Sequence, residues 1–302
     1  MISNFISKYP IASICILVFV MLIPNLDVLQ VTIMEARNFI TAREMLTDGN
    51  WLLTTMNGET RYQKPPLPTW LTAISMFVFG VKSIFGARLP AVIMVAIIGC
   101  FIYKLSEVTT NNSKHSFTNA MIGITSFYVI GIIIEAPWDI YTHGFMLVAI
   151  YNLFLLFEKE KNYLKHTLIA GLFIGFSFLS KGPISMYALM LPFLLAYGFT
   201  FKYKNIKLKL FSIFSVLIIT IIIGCWWYLY VRLEDPTTFA VVTKRETGNW
   251  SSYNIRPFYY YWSFFTQSGL WTIPAFISLL YPYLKSRVSN LKAYKLSLFW
   301  TI

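Results

Sequence analysis

The sequence predicts an all-α polytopic membrane protein, and three observations carry this prediction. Of the 302 residues, 57% are hydrophobic and only 13% are charged, whereas a soluble domain carries about 25% charged residues. Several apolar runs reach the roughly 17 to 25 residues that a membrane-spanning helix needs. Lysines recur in the short polar gaps between these runs. Together these features exclude an ordinary soluble domain.

The apolar runs predict eight membrane spans and the start of a ninth. Their approximate bounds are 11–29, 87–104, 117–134, 140–157, 166–180, 184–200, 210–231 and 264–283, with the ninth beginning at 295. The first run is too long for a signal-peptide core and lacks a small-residue cleavage site, so we interpret it as a retained span. Because the sequence stops within the ninth run, we expect residues 1–302 to be the N-terminal part of a longer protein.

The basic residues indicate which side of the membrane each gap faces. The net charge is +12, but these residues do not gather on one face, so we expect no nucleic-acid partner. The positive-inside rule makes the lysine-rich gaps cytoplasmic. Those gaps hold Lys104, Lys114, Lys159, Lys161, Lys165, Lys202, Lys204, Lys207, Lys209, Lys285, Arg287, Lys292 and Lys295. Ten of the thirteen acidic residues fall in the opposite gaps, which are therefore predicted to face outward.

The segment 67–81 is predicted to be a surface helix rather than a span. Two apolar candidates, 67–81 and 87–104, lie between the outward gap at Asp27 and the cytoplasmic gap at Lys104. Only one crossing can lie between those two points if they are on opposite sides. The first candidate is the shorter and follows the prolines of YQKPPLPTW (62–70), so we place it on or within the outer leaflet. The first outer loop, about 28–88 and called loop one below, is then wholly extracytoplasmic.

Residues 35–46 of loop one predict an amphipathic helix at the membrane surface. Ala36, Phe39 and Ile40 recur at helical spacing, while charged side chains cover the other faces. Thr32 can cap the start of this helix, and Gly49 can end it.

No motif of a soluble enzyme is present: the sequence has no Gly-rich phosphate loop, nucleophile elbow or metal-binding pair of histidines. His143 lies alone near the outer end of a span, and we interpret it as a hydrogen-bonded structural residue. Cys15, Cys100 and Cys225 all lie in apolar runs. They indicate neither a disulfide framework nor a zinc site.

Charged residues at the outer ends of the spans are the candidates for chemistry. An ionisable group at the membrane edge is costly unless it is solvated or paired, which makes it a functional candidate. Fixed cations suit a lipid-phosphate leaving group, and a carboxylate suits the proton of an acceptor hydroxyl. The candidates are Asp139 and Lys181 in very short outer turns, Glu35, Arg37 and Lys64 in loop one, and Arg232, Lys244, Arg245 and Arg256 before the eighth span.

These candidates fall in motifs that resemble one known family, in the same order along the chain. The motifs are EARNF (35–39), AREM (42–45), GNW (49–51), KPPL (64–67), Asp139, SKG (180–182) and RPFYYY (256–261). They resemble the GT-C membrane glycosyltransferases of family 39, which include protein O-mannosyltransferases and lipid A aminoarabinose transferases. The resemblance covers essentially the whole sequence.

The resemblance implies a GT-C-type transmembrane helix bundle with amphipathic surface helices in loop one, of which residues 1–302 are the N-terminal part. It implies an enzyme that moves a hexose or pentose from a polyprenyl-phosphate donor to a lipid, glycan or protein acceptor. We expect it in the bacterial cytoplasmic (inner) membrane, with its active site on the periplasmic side. The expected catalytic residues are Glu35 and Asp139, and the expected donor-phosphate ligands are Lys64, Lys181, Arg256 and Arg37.

Three positions depart from the family pattern. The family's Asp-Glu pair is Met34-Glu35 here, its Glu-Lys-Pro is Gln63-Lys64-Pro65, and the His before its Pro-Phe-Tyr run is Asn254. The last two changes replace possible metal ligands with amides, which bind transition metals poorly. We therefore expect no cofactor and consider a bound divalent metal doubtful.

A transporter or flippase of a lipid-linked sugar is the main alternative, and a non-catalytic membrane scaffold is another. A transporter is expected to place charges near the bilayer midplane or to show broken helices in a repeated pattern. Here the charges collect at one side of the membrane instead. A scaffold would not need charges of both signs in loop one. The charge pattern therefore favours the transferase.

Overall fold

The computed structural model describes residues 2–134, 137–252, 257, 259–260 and 267–301, and these residues are predominantly helical. The α-helices are, in chain order, α1 Ile2–Lys8, α2 Pro10–Leu22, α3 Ile33–Thr47, α4 Leu67–Phe79, α5 Ile84–Thr110, α6 Ser113–Ile124, α7 Phe127–Gly131, α8 Pro137–Glu158, α9 Leu164–Lys181, α10 Leu191–Thr200, α11 Ile206–Glu234, α12 Pro236–Ser252, α13 Thr272–Ser278, α14 Tyr281–Leu284 and α15 Leu291–Thr301. Short 3-10 turns lie at Ile23–Asn25 and Gly269–Trp271, and a π-helical turn lies at Met186–Met190. The predicted all-α class is confirmed.

Three helices in the described part of the chain, α5, α8 and α11, are long and apolar enough to cross a membrane. Helix α8 packs along α9, α9 packs along α11, and α5 packs against α6 and α8. Buried side chains of α5 and α8, such as Val95 and Tyr141, share one core. Helix α11 leaves Phe211 and Ile222 exposed. An exposed apolar face of this kind is typical of a surface that meets lipid.

At least three of the predicted spans, 117–134, 184–200 and the described part of 264–283, are divided between helical segments. The run 117–134 is interrupted after α6, where Thr125 Oγ1 donates to Met121 O at 2.6 Å and Ser126 Oγ donates to Gly123 O at 2.9 Å. Such hydroxyl bonds compete with the helical backbone ladder. The run 184–200 is divided between the π-helical turn and α10, whose second residue is Pro192. Proline has no N–H to donate to the preceding turn.

The surface helix α3 agrees with the prediction for residues 35–46. Thr32 Oγ1 accepts from Glu35 N at 3.3 Å, and Glu35 Oε2 accepts from Thr32 N at 3.2 Å. This reciprocal capping box satisfies two backbone donors at the start of the helix. Gly49 follows the C-terminal end with φ at +77°, a backbone conformation that glycine adopts readily. Both predicted caps are confirmed.

Helix α4 spans 13 residues, or about 20 Å at the usual helical rise. This is short of the roughly 30 Å hydrocarbon core of a bilayer, as predicted for a surface helix, although its position relative to the membrane stays a prediction. It packs against α3 through a buried polar network. Thr69 Oγ1 donates to Asn38 Oδ1 at 2.7 Å, and Asn38 Nδ2 donates to Thr72 Oγ1 at 3.0 Å.

A short hairpin in loop one was absent from the sequence prediction. Strand β1 is Thr55–Met56 and β2 is Glu59–Thr60, paired antiparallel. The linking residues Asn57 and Gly58 have φ angles of +56° and +78°. Positive φ at both positions defines a type I′ turn, for which Asn-Gly is the favoured dipeptide. The buried Glu44 carboxylate holds this turn by accepting from Asn57 N at 2.6 Å.

Two tryptophans near the C-terminal end of α11, Trp226 and Trp227, hold loop one in place. Trp227 Nε1 donates to Leu52 O at 2.8 Å, across 175 residues of sequence. Trp226 stacks on Trp70 with ring centroids 6.0 Å apart. Trp70 Nε1 in turn donates to Trp51 O at 2.7 Å. These contacts place the segment that leads into Lys64 beside the last turns of α11.

Candidate active site

Asp139 and Lys181 meet where α8 begins and α9 ends. Asp139 lies in the first turn of α8, and Lys181 is the last residue of α9. Lys181 Nζ donates to Asp139 Oδ1, and both side chains are largely buried. The helix macrodipole favours an acid at a helix N-terminus and a base at a C-terminus, so each helix stabilises the charge that it carries. Two candidates that the sequence analysis named separately thus form an ion pair.

Lys64 lies next to this pair and contacts a third carboxylate. Its Nζ is 3.9 Å from Glu246 Oε2 of α12, and the two side chains are 30% and 31% exposed. Burial lowers the pKa of Lys64 most strongly, Lys181 lowers it further, and Glu246 and Asp139 oppose the shift. The electrostatic surroundings of Lys64 therefore include both members of the Asp139–Lys181 pair. The predicted candidates Lys64, Lys181 and Asp139 are brought together.

Arg61 is a cation of this cluster that the sequence analysis missed. Its Nη1 donates to Arg37 O at 2.6 Å and to Thr41 Oγ1 at 3.0 Å. Its guanidinium lies 5.2 Å from the ring centroid of Trp138, the residue before Asp139. Burial, and then the neighbouring Arg37, lower its pKa to about 10. Arg61 could have been found from the sequence, because it lies three residues before Lys64 in the segment that follows β2.

Arg37, a predicted phosphate ligand, has an exposed side chain. Its Nη1 lies 3.8 Å from Met34 Sδ, and its backbone carbonyl accepts a hydrogen bond from the Arg61 guanidinium. It therefore supports Arg61 from the edge of the cluster. The other predicted ligand, Arg256, lies outside the described residues, as does Asn254. Its role stays a prediction.

Glu35, the other predicted catalytic acid, lies inside the fold and is paired with Arg88. Its side chain is fully buried. Arg88 Nε and Nη2 bind its two carboxylate oxygens at 2.8 Å each, and Thr32 N binds one of them as well. Arg88 also donates to Leu26 O at 2.6 Å and Leu29 O at 3.0 Å. Because its oxygens are occupied inside the fold, Glu35 joins α3 to α5, and a catalytic role for it stays a prediction.

Two buried polar atoms beside the cluster lack a hydrogen-bond partner in the described part of the chain: Gln63 Oε1 and Trp138 Nε1. Each belongs to the residue immediately before a site residue, Lys64 or Asp139. Buried polar groups are nearly always hydrogen-bonded, so an orphan needs an explanation. A polar ligand in this cluster would supply one acceptor and one donor.

His143 lies one helical turn after Asp139, and its Nδ1 is 2.8 Å from Ser185 Oγ. This contact agrees with the interpretation of His143 as a hydrogen-bonded structural residue. The described residues contain no group of three or more His, Cys, Asp or Glu side chains arranged to hold a metal ion. Cys15 and Cys100 face each other with sulfurs 3.7 Å apart and are free thiols, as is Cys225.

A cavity of about 680 Å³ lies at the other end of α5, between Ser106, His115 and Asn290. None of the predicted site residues that the structure describes lines it. The charged cluster at Lys64 and Asp139 is therefore the better candidate for the predicted chemistry.

Comparison with known proteins identifies the family. The profile of the dolichyl-phosphate-mannose-protein mannosyltransferase family matches residues 63–228, which is more than half of the chain and includes Lys64, Asp139 and Lys181. The chain belongs to this family. The resemblance to GT-C glycosyltransferases that the motifs indicated is thereby confirmed.

Relatives within this family carry transferase names. The undecaprenyl phosphate-alpha-4-amino-4-deoxy-L-arabinose arabinosyl transferase 1 of Proteus mirabilis is 29% identical over 206 residues, which cover 67% of this chain and 36% of that protein. The corresponding transferase of Photorhabdus laumondii is 24% identical over 238 residues, covering 75% of this chain and 41% of that protein. The chain thus spans less than half the length of these curated relatives.

Solved structures show the same fold. ArnT from Cupriavidus metallidurans bound to undecaprenyl phosphate matches 96% of this chain with a TM-score of 0.76 at 16% identity, over 53% of its own length. The archaeal oligosaccharyltransferase AglB from Archaeoglobus fulgidus matches 97% of this chain with a TM-score of 0.54 at 12% identity, over 36% of its own length. The predicted GT-C membrane fold is confirmed for this family member.

Proposed function

We propose that the protein is an integral-membrane glycosyltransferase that moves a sugar from a polyprenyl-phosphate donor to a lipid, glycan or protein acceptor. The observation that carries this proposal is the cluster of two lysines and two carboxylates, Lys64, Lys181, Asp139 and Glu246. The relatives named as undecaprenyl-phosphate sugar transferases support the donor class, and the structure of ArnT bound to undecaprenyl phosphate supports a lipid phosphate as ligand.

The chemistry of transfer suits this arrangement of charges. As the bond between the sugar and the donor phosphate breaks, negative charge grows on the phosphate oxygens. Prepositioned cations stabilise charge that develops in a transition state, and they act more strongly where water is excluded. Lys64 and Lys181 are both partly buried. We assign them to the donor phosphate, with Arg61 behind them and Arg256 as a further predicted ligand.

The unpartnered atoms of Gln63 and Trp138 support a ligand at the same place. The amide oxygen of Gln63 can accept a hydrogen bond from a sugar hydroxyl, and the indole N–H of Trp138 can donate to a hydroxyl or phosphate oxygen. Both atoms are buried and have no hydrogen-bond partner among the residues that the structure describes. We therefore place the sugar of the donor between the segment at Lys64 and the start of α8.

The placement of charges also supports an active site on the periplasmic side of the bacterial inner membrane. Helix α9 begins at Leu164, beside the basic gap of Lys159, Lys161 and Lys165, and ends 18 residues later at Lys181. That length corresponds to about 27 Å, close to the roughly 30 Å of a hydrocarbon core. The cluster thus lies about one bilayer thickness from a gap that the positive-inside rule makes cytoplasmic.

Purified protein in detergent tests the proposal. Synthetic undecaprenyl-phosphate sugars would be supplied together with lipid A or peptide acceptors, and release of free undecaprenyl phosphate would be measured. Acceptor-dependent release is the expected result. A flippase would instead move the intact lipid-linked sugar between leaflets of protein-containing liposomes without releasing it, and that outcome would replace the transferase assignment.

A further inference from the structure

The three carboxylates considered for this site differ in how free they are to act. Glu35 is fully buried and its oxygens are held by Arg88 and the backbone. Asp139 is held closely by Lys181. Glu246 has one charged partner among the described residues, Lys64, at a distance of 3.9 Å. This separation is longer than a charge-assisted hydrogen bond of about 2.7–2.9 Å. Glu246 is thus the loosely held acid of the cluster.

Glu246 lies on the face of α12 that packs against the rest of the protein. Phe239 and Val242 pack against the apolar cluster that contains Tyr62 and Trp227. Residues 239, 242 and 246 are separated by three and four positions, so they share one face of an α-helix. On another face, Val241 is 68% exposed. The packing that holds the helix in place therefore also directs the Glu246 carboxylate toward Lys64.

The start of α12 is fixed by a second set of contacts. Asp235 Oδ1 accepts from Thr238 N and from Thr237 Oγ1, both at 3.1 Å, which is an N-cap arrangement. Tyr62 lies near the same carboxylate, since burial and then the negative charge of Asp235 raise the pKa of its hydroxyl to about 12. Because Tyr62 precedes Lys64 by two residues, α12 is tied to the segment of loop one that carries the lysine. The position of Glu246 relative to Lys64 is built into the fold.

A donor phosphate and Glu246 would compete for the same cation. Both are anions, and Lys64 is the charged partner that Glu246 has in the described part of the chain. Binding of the phosphate at Lys64 would release the carboxylate while keeping it within the site. The freed oxygens would then face whatever approaches the sugar.

We propose that Glu246 is the general base of the transfer, which takes the acceptor proton after the donor phosphate has replaced it at Lys64. This inference rests on the proposed function. In the step, the acceptor oxygen forms a bond to the anomeric carbon, and the bond from that carbon to the phosphate oxygen breaks. The electron pair remains on the phosphate, next to Lys64, and the acceptor proton passes to the Glu246 carboxylate.

The proposal gives two effects of opposite direction for Glu246→Gln. Removing the competing negative charge should make undecaprenyl phosphate bind more tightly. Removing the base should lower turnover with a hydroxyl acceptor by about 10²–10⁴-fold, the usual contribution of general base catalysis. A merely structural role would weaken binding and turnover together. Glu246→Asp keeps the carboxylate and should restore part of the turnover.

The experiment measures the Kd of undecaprenyl phosphate and steady-state turnover for the wild type, Glu246→Gln and Glu246→Asp. Glu234→Gln, an exposed acid at the end of α11, is the control and should change neither. Tighter binding with reduced turnover in Glu246→Gln supports the proposal. Wild-type turnover, or weaker binding, in that variant overturns it while leaving the proposed function intact. A wild-type protein that neither binds undecaprenyl phosphate nor releases it from a sugar donor overturns both.

Discussion

Arg88 and Glu35 bury a pair of opposite charges between α5 and the start of α3, with side chains 2% and 0% exposed. Asp139 and Lys181 form a second pair, but each keeps part of its surface accessible. Glu35 and Asp139, which have the same predicted role, therefore differ in how deeply their carboxylates are buried. A buried acid with its oxygens occupied stabilises the fold, whereas a partly exposed acid next to cations can meet a substrate.

Glu35→Gln is expected to destabilise the protein, because it leaves the Arg88 charge buried without its carboxylate. Breaking a buried ion pair from one side costs about 3–5 kcal/mol, so the Tm of the purified variant should fall. The double variant Glu35→Gln/Arg88→Met removes both charges and should recover part of this loss. A single variant with wild-type Tm but no transfer would support the catalytic role predicted from the sequence.

Lys64→Met and Lys181→Met keep the apolar stem of each side chain and remove its charge. If each cation acts mainly on the charge that grows on the departing phosphate, turnover should fall by about 10²–10³-fold. The affinity for the donor should fall less. Lys82→Met, an exposed lysine of loop one, is the matched control. If all three variants change turnover and Kd equally, the lysines act through the overall positive charge of the surface and do not form a specific phosphate site.

Donor binding should weaken at alkaline pH as Lys64 loses its proton. Burial lowers the pKa of Lys64 below its usual 10.5, with Lys181 and Arg61 adding to the shift, while Glu246 and Asp139 oppose it. The loss of binding should therefore begin at a lower pH than for an exposed lysine. Glu246→Gln removes a negative charge that raises the pKa of Lys64. In this variant the loss of binding at alkaline pH should therefore begin at a still lower pH. The Kd of undecaprenyl phosphate, measured as a function of pH for the wild type and Glu246→Gln, tests this prediction. Loss of binding at the same pH in both proteins would contradict it.

At the scale of elements, α3 and its caps could be predicted because Thr32, Glu35 and Gly49 are local signals. The hairpin was missed although Asn57-Gly58 is a strong turn signal, since its two-residue strands offer no alternation to detect. The breaks in the runs 117–134 and 184–200 were missed because hydropathy is continuous through them. These breaks depend on side-chain hydroxyl bonds to the backbone and on a proline. Averaging hydropathy over a window of residues does not detect either feature.

The topology of loop one can be tested at Lys82, an exposed residue between α4 and α5. Ser83 is a poorer probe because its Oγ accepts from Gly86 N at 3.0 Å and caps α5. Lys82→Cys should react with an impermeant thiol reagent in intact spheroplasts. Lys204→Cys, in a gap predicted to be cytoplasmic, should react only after permeabilisation. Labelling of Lys82→Cys only after permeabilisation would show that α4 crosses the membrane.

At the scale of the whole molecule, the cluster draws on four parts of the chain: loop one, α8, α9 and α12. That Lys64, Asp139 and Lys181 are candidates of one site could be predicted from their places at the ends of apolar runs, whereas the order of the spans and the outer position of these residues stay predictions. Glu246 could not be distinguished from Glu234, another acid of the same outer gap. Only the phase of α12 and its packing on loop one decide which acid faces Lys64.

The bond from Trp227 to Leu52 joins residues 175 positions apart, and this has a consequence for biosynthesis. The segment around Leu52 is synthesised early, while its anchor on α11 has yet to be made. At about 5–20 residues per second, the ribosome needs roughly 10–35 s to reach Trp227. During this interval Arg88 is already available to hold the start of the segment, but its far end has no anchor on α11. Maturation of this surface is therefore a late event in biosynthesis, because loop one cannot be anchored on α11 before Trp227 has been made.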